Sequence, residues 1–233
     1  MKTIGILGGL GPESTIAYYA HITRKYYEKY HNYAYPDILI YSLSLEPFIK
    51  IGYELPDRVK AAIEAMHRAG ADFVVASCNS IHIIYDQLVK ELPIPWLSIM
   101  DSTAEEIKRI GIERVGLLGT IFTMSKGFYR NALARDGIVT ITPETSAQEQ
   151  INKIIFSELI TAVIREESRR FVLDCIERLV DRGAQGVVLA CTELPFLIQQ
   201  EQVRLPVFNT TAIHAQKALD VALADDALLP EES

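Results

Sequence analysis

Short apolar runs alternate along this chain with longer segments whose apolar residues recur every three or four positions. Residues 3–7 form the first run and predict a buried strand. A glycine turn follows, and Pro12 suits a first helical position, where its fixed φ fits and its missing N–H is not needed. The spacing predicts a helix over residues 13–30 and a second strand over 38–43. Asp57 is expected to be the N-cap of a helix running to residue 67. Val59, Ala62, Ile63 and Met66 turn inward on it, and Gly70 is its C′ residue. Residues 72–77 are the third strand. This alternation predicts a parallel sheet with helices on both faces.

The second half of the chain repeats the first. Ile4-Gly5-Ile6-Leu7-Gly8 matches Val115-Gly116-Leu117-Leu118-Gly119, residues 69–79 match residues 182–192, and Leu92-Pro93-Ile94-Pro95 matches Val203-Arg204-Leu205-Pro206. Three matches at almost one constant offset predict two similar Rossmann-like α/β lobes with parallel sheets, related by a pseudo-two-fold axis. The lobes are expected at residues 1–98 with 209–233 and at residues 99–208, with the active site in the cleft between them. Residues 209–223 predict a helix that packs back on the first lobe. From residue 222 the acidic chain end reads as frayed.

Composition changes this picture little. The chain has 233 residues, 49% of them hydrophobic and 23% charged, as an ordinary globular protein does. A net charge of −7 with no cluster of Lys and Arg argues against a nucleic-acid partner. No stretch of about 18 apolar residues exists, so no membrane partner is expected. The apolar start is short and broken by glycines and Pro12, which suits a strand better than a signal peptide. Three cysteines, few and odd in number, predict reduced thiols in the cytoplasm.

Two of those cysteines carry the candidate chemistry. Cys78 and Cys191 are equivalent in the repeat, and each ends an apolar run and is followed by small polar residues. In open parallel sheets, catalytic groups gather at the carboxyl ends of strands. Helices are expected to start just beyond both, lowering the thiol pKa and offering N–H donors to an anion. Inverting a stereocentre at Cα requires a base on one face and an acid on the other, exchanging roles in reverse. Two identical thiols satisfy that symmetry, and a free thiol near 8.5 titrates close to working pH. Cys175 has no counterpart and lies in a helical pattern, where a cysteine is a small buried hydrophobe. No His or Cys completes a zinc-like spacing around the pair, so no metal is expected.

Other candidates follow from position. The Gly8–Gly11 turn departs from G-x-G-x-x-G, because Ser14 stands where the third glycine belongs and no acid closes the second strand. It reads instead as a place where N–H groups approach a small carboxylate, with Gly9 and Ser14 as contacts. His82 either tunes Cys78 or packs within a helix. Glu193 either binds a substrate ammonium or orients a neighbour. Thr120 and Thr123 either donate to a carboxylate or cap a helix.

The motifs Gly8-Gly9-Leu10-Gly11-Pro12-Glu13-Ser14-Thr15, Cys78-Asn79-Ser80-Ile81-His82 and Cys191-Thr192-Glu193-Leu194, with Gly119-Thr120 and Ile213-His214-Ala215, resemble the aspartate/glutamate racemase family that works without pyridoxal phosphate. The resemblance spans nearly the whole chain. It implies a two-lobed α/β fold, often a homodimer, with no cofactor and with Cys78 and Cys191 as the acid/base pair. It also implies that Asn79, Ser80 and Thr192 hold the α-carboxylate or amino group of a small acidic amino acid. Glu193 is similar to the aspartate branch, where glutamate racemases carry a His. The chain departs from many aspartate racemases in having no Pro-Asp-Arg soon after the second strand. Pro56-Asp57-Arg58 occurs later, at a helix start, and Lys50 is the candidate replacement cation. The expected activity is racemisation of aspartate. Glutamate or a broader acidic range comes next, then a hydantoin racemase or maleate isomerase, and finally a two-lobed ligand-binding protein.

Overall fold

The computed structural model describes residues 1–52 and 55–224. They divide into two compact units, one of residues 1–77, 84–98 and the chain from His214, the other of Cys78–Ile83 and Ile99–Ile213. Chain order in the first half is β1 (Ile4–Gly8), α1 (Pro12–Tyr30), β2 (Ile38–Ser42), α2 (Glu46–Ile51), α3 (Pro56–Arg68), β3 (Phe73–Ala76), a 3-10 turn (Ser80–Ile84), α4 (Tyr85–Leu88) and β4 (Trp96–Leu97). It continues as α5 (Ile99–Arg109), β5 (Arg114–Gly119), α6 (Ile121–Ser125), α7 (Phe128–Arg135), β6 (Val139–Ile141), α8 (Thr145–Ser157), α9 (Glu166–Asp181), β7 (Gly186–Ala190), α10 (Leu194–Leu197), β8 (Val207–Asn209) and α11 (Thr210–Leu223).

Each unit is built on a four-stranded parallel sheet. The orders are β2-β1-β3-β4 and β6-β5-β7-β8. The orders match with β5 for β1, β7 for β3 and β8 for β4; the repeated stretches contain the first two pairs and immediately precede the third. Interior strands are buried on both faces, so β1 and β7 read as unbroken small and apolar runs rather than alternating ones. In the first unit, Tyr18, Ile22 and Tyr26 of α1 and Ala215, Ala218 and Leu219 of α11 pack with Ile4, Ile6, Phe73 and Val75. The last helix therefore packs on the first sheet. In the second, Ile151, Ile154 and Ile155 of α8 and Val172, Ile176 and Leu179 of α9 pack with Leu118, Val187 and Leu189. Cys175 lies in that core.

α3 and α9 also close alike. Gly70 N–H donates to His67 and Ala71 N–H to Met66, while Gly183 N–H donates to Val180 and Ala184 N–H to Leu179. Both glycines take a positive φ, +100° and +90°, which this closure requires. The start of α3 differs from expectation. Pro56 occupies the first helical turn and Leu55 the N-cap, so Asp57 lies inside the helix rather than capping it. Proline is pre-organised for that position, and the Asp57 carboxylate still faces the positive end of the helix. Arg58 is exposed, with its guanidinium 5.9 Å from the Phe48 ring centre. The expected frayed end lies, from residue 225 on, outside the described residues. Among the described residues no helix is long and apolar enough to cross a membrane.

Candidate active site

Cys78 and Cys191 stand just beyond the carboxyl ends of β3 and β7, each an interior strand of its sheet. Both are buried, at 4% and 5% exposure. The turn that carries Cys78 belongs to the same unit as Cys191. Three hydrogen bonds hold it there. Ser80 Oγ lies 2.8 Å from Thr120 Oγ1, Asn79 Nδ2 donates to Thr210 Oγ1 at 3.0 Å, and Ile99 N–H donates to His82 Nε2 at 3.2 Å. Because His82 Nε2 accepts, the ring proton sits on Nδ1 and points to the Cys78 carbonyl, 3.0 Å away. His82 thus braces the turn through its backbone, which is the packing role of the two the sequence allowed.

Glu193 is the one buried carboxylate among the described residues. Its Oε2 accepts from the Cys191 Sγ and from the Thr192 hydroxyl, each at 3.0 Å. Burial pushes the Cys78 thiol up to about 12, and the Glu193 charge adds to the rise. At Cys191, burial and then the Glu193 charge hold the thiol well above its ordinary range, and Cys78 contributes in the same direction. Backbone N–H groups do reach the sulfurs and oppose this, from Ile81 and Ser80 at Cys78 and from Glu193 at Cys191. The expectation of lowered thiol pKa values is therefore reversed. The helices that follow, α4 and α10, have only four residues each, too short for a substantial dipole, and desolvation dominates.

A chain of hydroxyls lies beside Cys78. Thr120 Oγ1 is 3.1 Å from Thr123 Oγ1 and accepts from the Thr123 N–H, capping α6 while still meeting Ser80. All three are buried. The capping role read from the sequence is thus the one observed, at Thr120. Asn79 has a second distinction. Its amide is fixed by Thr210, whose hydroxyl goes on to Leu189 O at 2.8 Å, and its buried Oδ1 has no hydrogen-bond partner among the described residues. An unpaired buried carbonyl oxygen is costly unless a ligand donor meets it.

Gly9, Ser14 and Lys50 belong to the first unit. Gly9 has φ +84°, and a Cβ there would lie 2.0 Å from Leu43 O. Its N–H donates to Thr15 Oγ1 at 2.9 Å, and Thr15 lies 3.1 Å from Ser77 Oγ. Ser14 is fully buried at the start of α1. Lys50 is exposed and pairs with Glu46 at 2.6 Å. No Lys or Arg is buried among the described residues. Sequence reasoning missed Thr210 and the Thr15–Ser77 contact. Thr210 directly follows β8, a strand end in the repeat, and that position was its signal. A depression of about 510 Å³, lined in part by Glu158, Arg165, Ser168 and Arg178, holds none of the candidate residues.

A model of the Asp/Glu/Hydantoin racemase family matches residues 7–218. A broad-specificity amino-acid racemase of Bacillus subtilis, RacX, is 25% identical over 95% of this chain and 98% of its own. The crystal structure of an aspartate racemase homologue from Pyrococcus horikoshii superimposes with a TM-score of 0.84 at 36% identity, covering 95% of this chain and 99% of that one. The aspartate racemase of Picrophilus torridus shares the fold, with a TM-score of 0.79 at 23% identity over 95% and 94% of the two chains.

Proposed function

The chain belongs to the Asp/Glu/Hydantoin racemase family, and on that premise we propose that it interconverts L- and D-aspartate by proton transfer between two thiols, in the cytoplasm and without a cofactor. The observation that carries the reading is the pair itself. Cys78 and Cys191 end matched strands, each is buried, and both respond to one carboxylate, Glu193.

Burial and the Glu193 charge favour the protonated form of both sulfurs. A base is needed, so as substrate enters the Cys191 proton passes along its hydrogen bond to Glu193 Oε2, leaving a thiolate and a neutral carboxyl. The substrate ammonium supplies the cause: a positive charge beside Glu193 cancels the negative field that holds both thiols high. Cys191 is already hydrogen-bonded to that carboxylate. The resulting thiolate takes the Cα proton, and the electron pair of the broken C–H bond delocalises into the α-carboxylate. Ser80, Thr120 and Thr123 donate to that carboxylate as its charge grows. The second thiol then delivers its proton to the opposite face of Cα. One thiol and one thiolate remain with exchanged places, which is the starting state for the reverse reaction. Asn79 Oδ1 and Glu193 accept from the ammonium, and Thr192 holds Glu193 in place.

The experiment is incubation of the purified protein with L-aspartate in D₂O without added cofactor, followed by chiral chromatography and mass spectrometry. D-Aspartate carrying one deuterium at Cα is expected. Unexchanged substrate, as a ligand-binding protein would leave it, sinks the proposal. A stable substrate adduct on one cysteine points instead to covalent attack of the isomerase kind.

One observation favours a second reading, a broader amino-acid range. Recognition of a side-chain carboxylate ordinarily uses a cation, and no buried Lys or Arg supplies one among the described residues. The similarity to RacX agrees with this. Comparable turnover of aspartate and uncharged amino acids in the same assay would establish it.

A further inference from the structure

Two buried polar atoms, Asn79 Oδ1 and Thr211 Oγ1, have no hydrogen-bond partner among the described residues. Asn79 is 2% exposed and Thr211 6%. Thr210 links them, as the hydrogen-bond partner of one and the chain neighbour of the other. Its hydroxyl donates to Leu189 O at 2.8 Å, so its oxygen accepts from Asn79 Nδ2 at 3.0 Å. That fixes the Asn79 amide and turns its Oδ1 away from Thr210. Thr211 leaves the helix about 100° round from Thr210. It shares the face of Ala215, Ala218 and Ala222, all fully buried. Buried hydroxyl and amide oxygens are nearly always met by a donor or an acceptor. Two unmet ones tied to a single residue mark a place where a ligand brings the missing groups.

The place lies at the carboxyl edge of the second sheet. α11 follows β8 directly, as Cys191 follows β7 and Thr120 follows β5. Asn79 is the residue after Cys78. With 14 residues, α11 is long enough to present a positive N-terminal end. Its Ala212 N–H donates to Asn209 Oδ1 at 3.1 Å, and a first helical turn offers further N–H groups that no intrahelical carbonyl takes up.

The two unmet atoms call for opposite groups. Asn79 Oδ1 only accepts, so it suits an ammonium. The Thr211 hydroxyl, at the positive end of a helix, donates best to an anion. A ligand with an ammonium on one carbon and a carboxylate on a short side chain meets both. No Lys or Arg is buried among the described residues, so neutral donors are what such a side chain would find there.

We propose that Thr211 is the specificity-determining residue of this enzyme, its hydroxyl donating to the side-chain carboxylate of the substrate. The proposal rests on the racemase reading for the kind of substrate and adds where its second negative charge is recognised. An uncharged short side chain, such as that of alanine, leaves the hydroxyl unmet.

Titration calorimetry with L-aspartate and L-alanine tests it, alongside deuterium exchange at Cα in D₂O. The native chain is expected to bind aspartate more tightly than alanine. Thr211→Val keeps the branched shape and removes the hydroxyl. It is expected to weaken aspartate binding about 10-fold or more, as loss of a hydrogen bond to a charged group does, and to leave alanine unchanged. Thr211→Ser keeps the hydroxyl and is expected to restore aspartate binding, which a mere packing role would not do. The melting temperature of Thr211→Val is expected at or above the native value, because a buried hydroxyl with no protein partner is lost. A native chain with no preference for aspartate overturns the proposal, as does a preference that Thr211→Val leaves intact. Binding is read without turnover, so the two readings fail separately. Exchange without a preference that depends on Thr211 overturns this proposal alone. A preference that depends on Thr211, without exchange, supports it and overturns the racemase reading.

Discussion

The Sγ of Cys191 and the Oε2 of Glu193 lie 3.0 Å apart, with the thiol donating to the carboxylate. A buried carboxylate so close raises a thiol pKa through its charge and also offers its proton a destination. The two effects separate in a variant that keeps the shape and removes the charge.

Glu193→Gln is that variant. Loss of the negative charge lets both thiols ionise more readily, so the rise of kcat/KM with pH should move toward lower pH by about 1 unit. The maximum should fall, since Gln accepts neither the thiol proton nor the substrate ammonium as a carboxylate does. A pH–rate profile whose rising limb does not move would detach Glu193 from the thiols.

Cys78→Ala and Cys191→Ala should each abolish racemisation. Each variant should retain deuterium exchange at Cα with one enantiomer only, the one whose proton faces the remaining sulfur. Cys175→Ala, in the core of the second unit, should leave turnover unchanged and lower stability by about 1 kcal/mol. Proton NMR of each enantiomer in D₂O reads the first pair, and thermal unfolding reads the third.

Thr210→Val should raise KM several-fold with a smaller change in kcat. It removes the acceptor of the Asn79 amide and deprives Leu189 O of a donor. Thr210→Ser keeps the hydroxyl and should restore KM. If Val and Ser variants behave alike, Asn79 is not oriented by Thr210.

Stability should fall as pH rises above the ordinary thiol range. The folded chain keeps Cys78 protonated to about 12 and Cys191 well above its usual value, while the unfolded chain ionises both near 8.5. Between these limits the unfolded state binds fewer protons, so the slope is negative, at most about 1.4 kcal/mol per pH unit for each thiol. Urea unfolding of the native chain and of the Cys78→Ser/Cys191→Ser double variant at pH 7.5 to 10 should show a steeper loss in the native chain. Parallel losses would refute it.

The parallel α/β fold was legible because interior strands of a parallel sheet leave long apolar runs, and the repeat made both sheets visible through β1/β5 and β3/β7. Both thiols and their polar neighbours were legible as strand-end residues. Less could be read of their ionisation. A turn that looked like a helix start proved to lead into four-residue helices, and burial outweighed the N–H donors. Whether Asp57 caps α3 depended on Pro56, which takes the first helical position and puts the cap at Leu55, two residues before the expected one. Thr210 escaped notice because its partner, Asn79, is 131 residues away, a distance at which local pattern carries no information. Gly9 was noticed for its N–H, yet what the turn demands is the missing side chain. Gly9→Ala should cost more than ~3 kcal/mol, from a strained φ together with a backbone clash, and a modest shift in melting temperature would count against this.

The segment that carries Cys78 is tied to the unit that carries Cys191 through Thr120, Thr210 and Ile99. The spacing of the two sulfurs is therefore an internal dimension of that unit, like the span of a fixed calliper. In the reaction proposed above, both sulfurs that would exchange the Cα proton are thus carried by one compact unit.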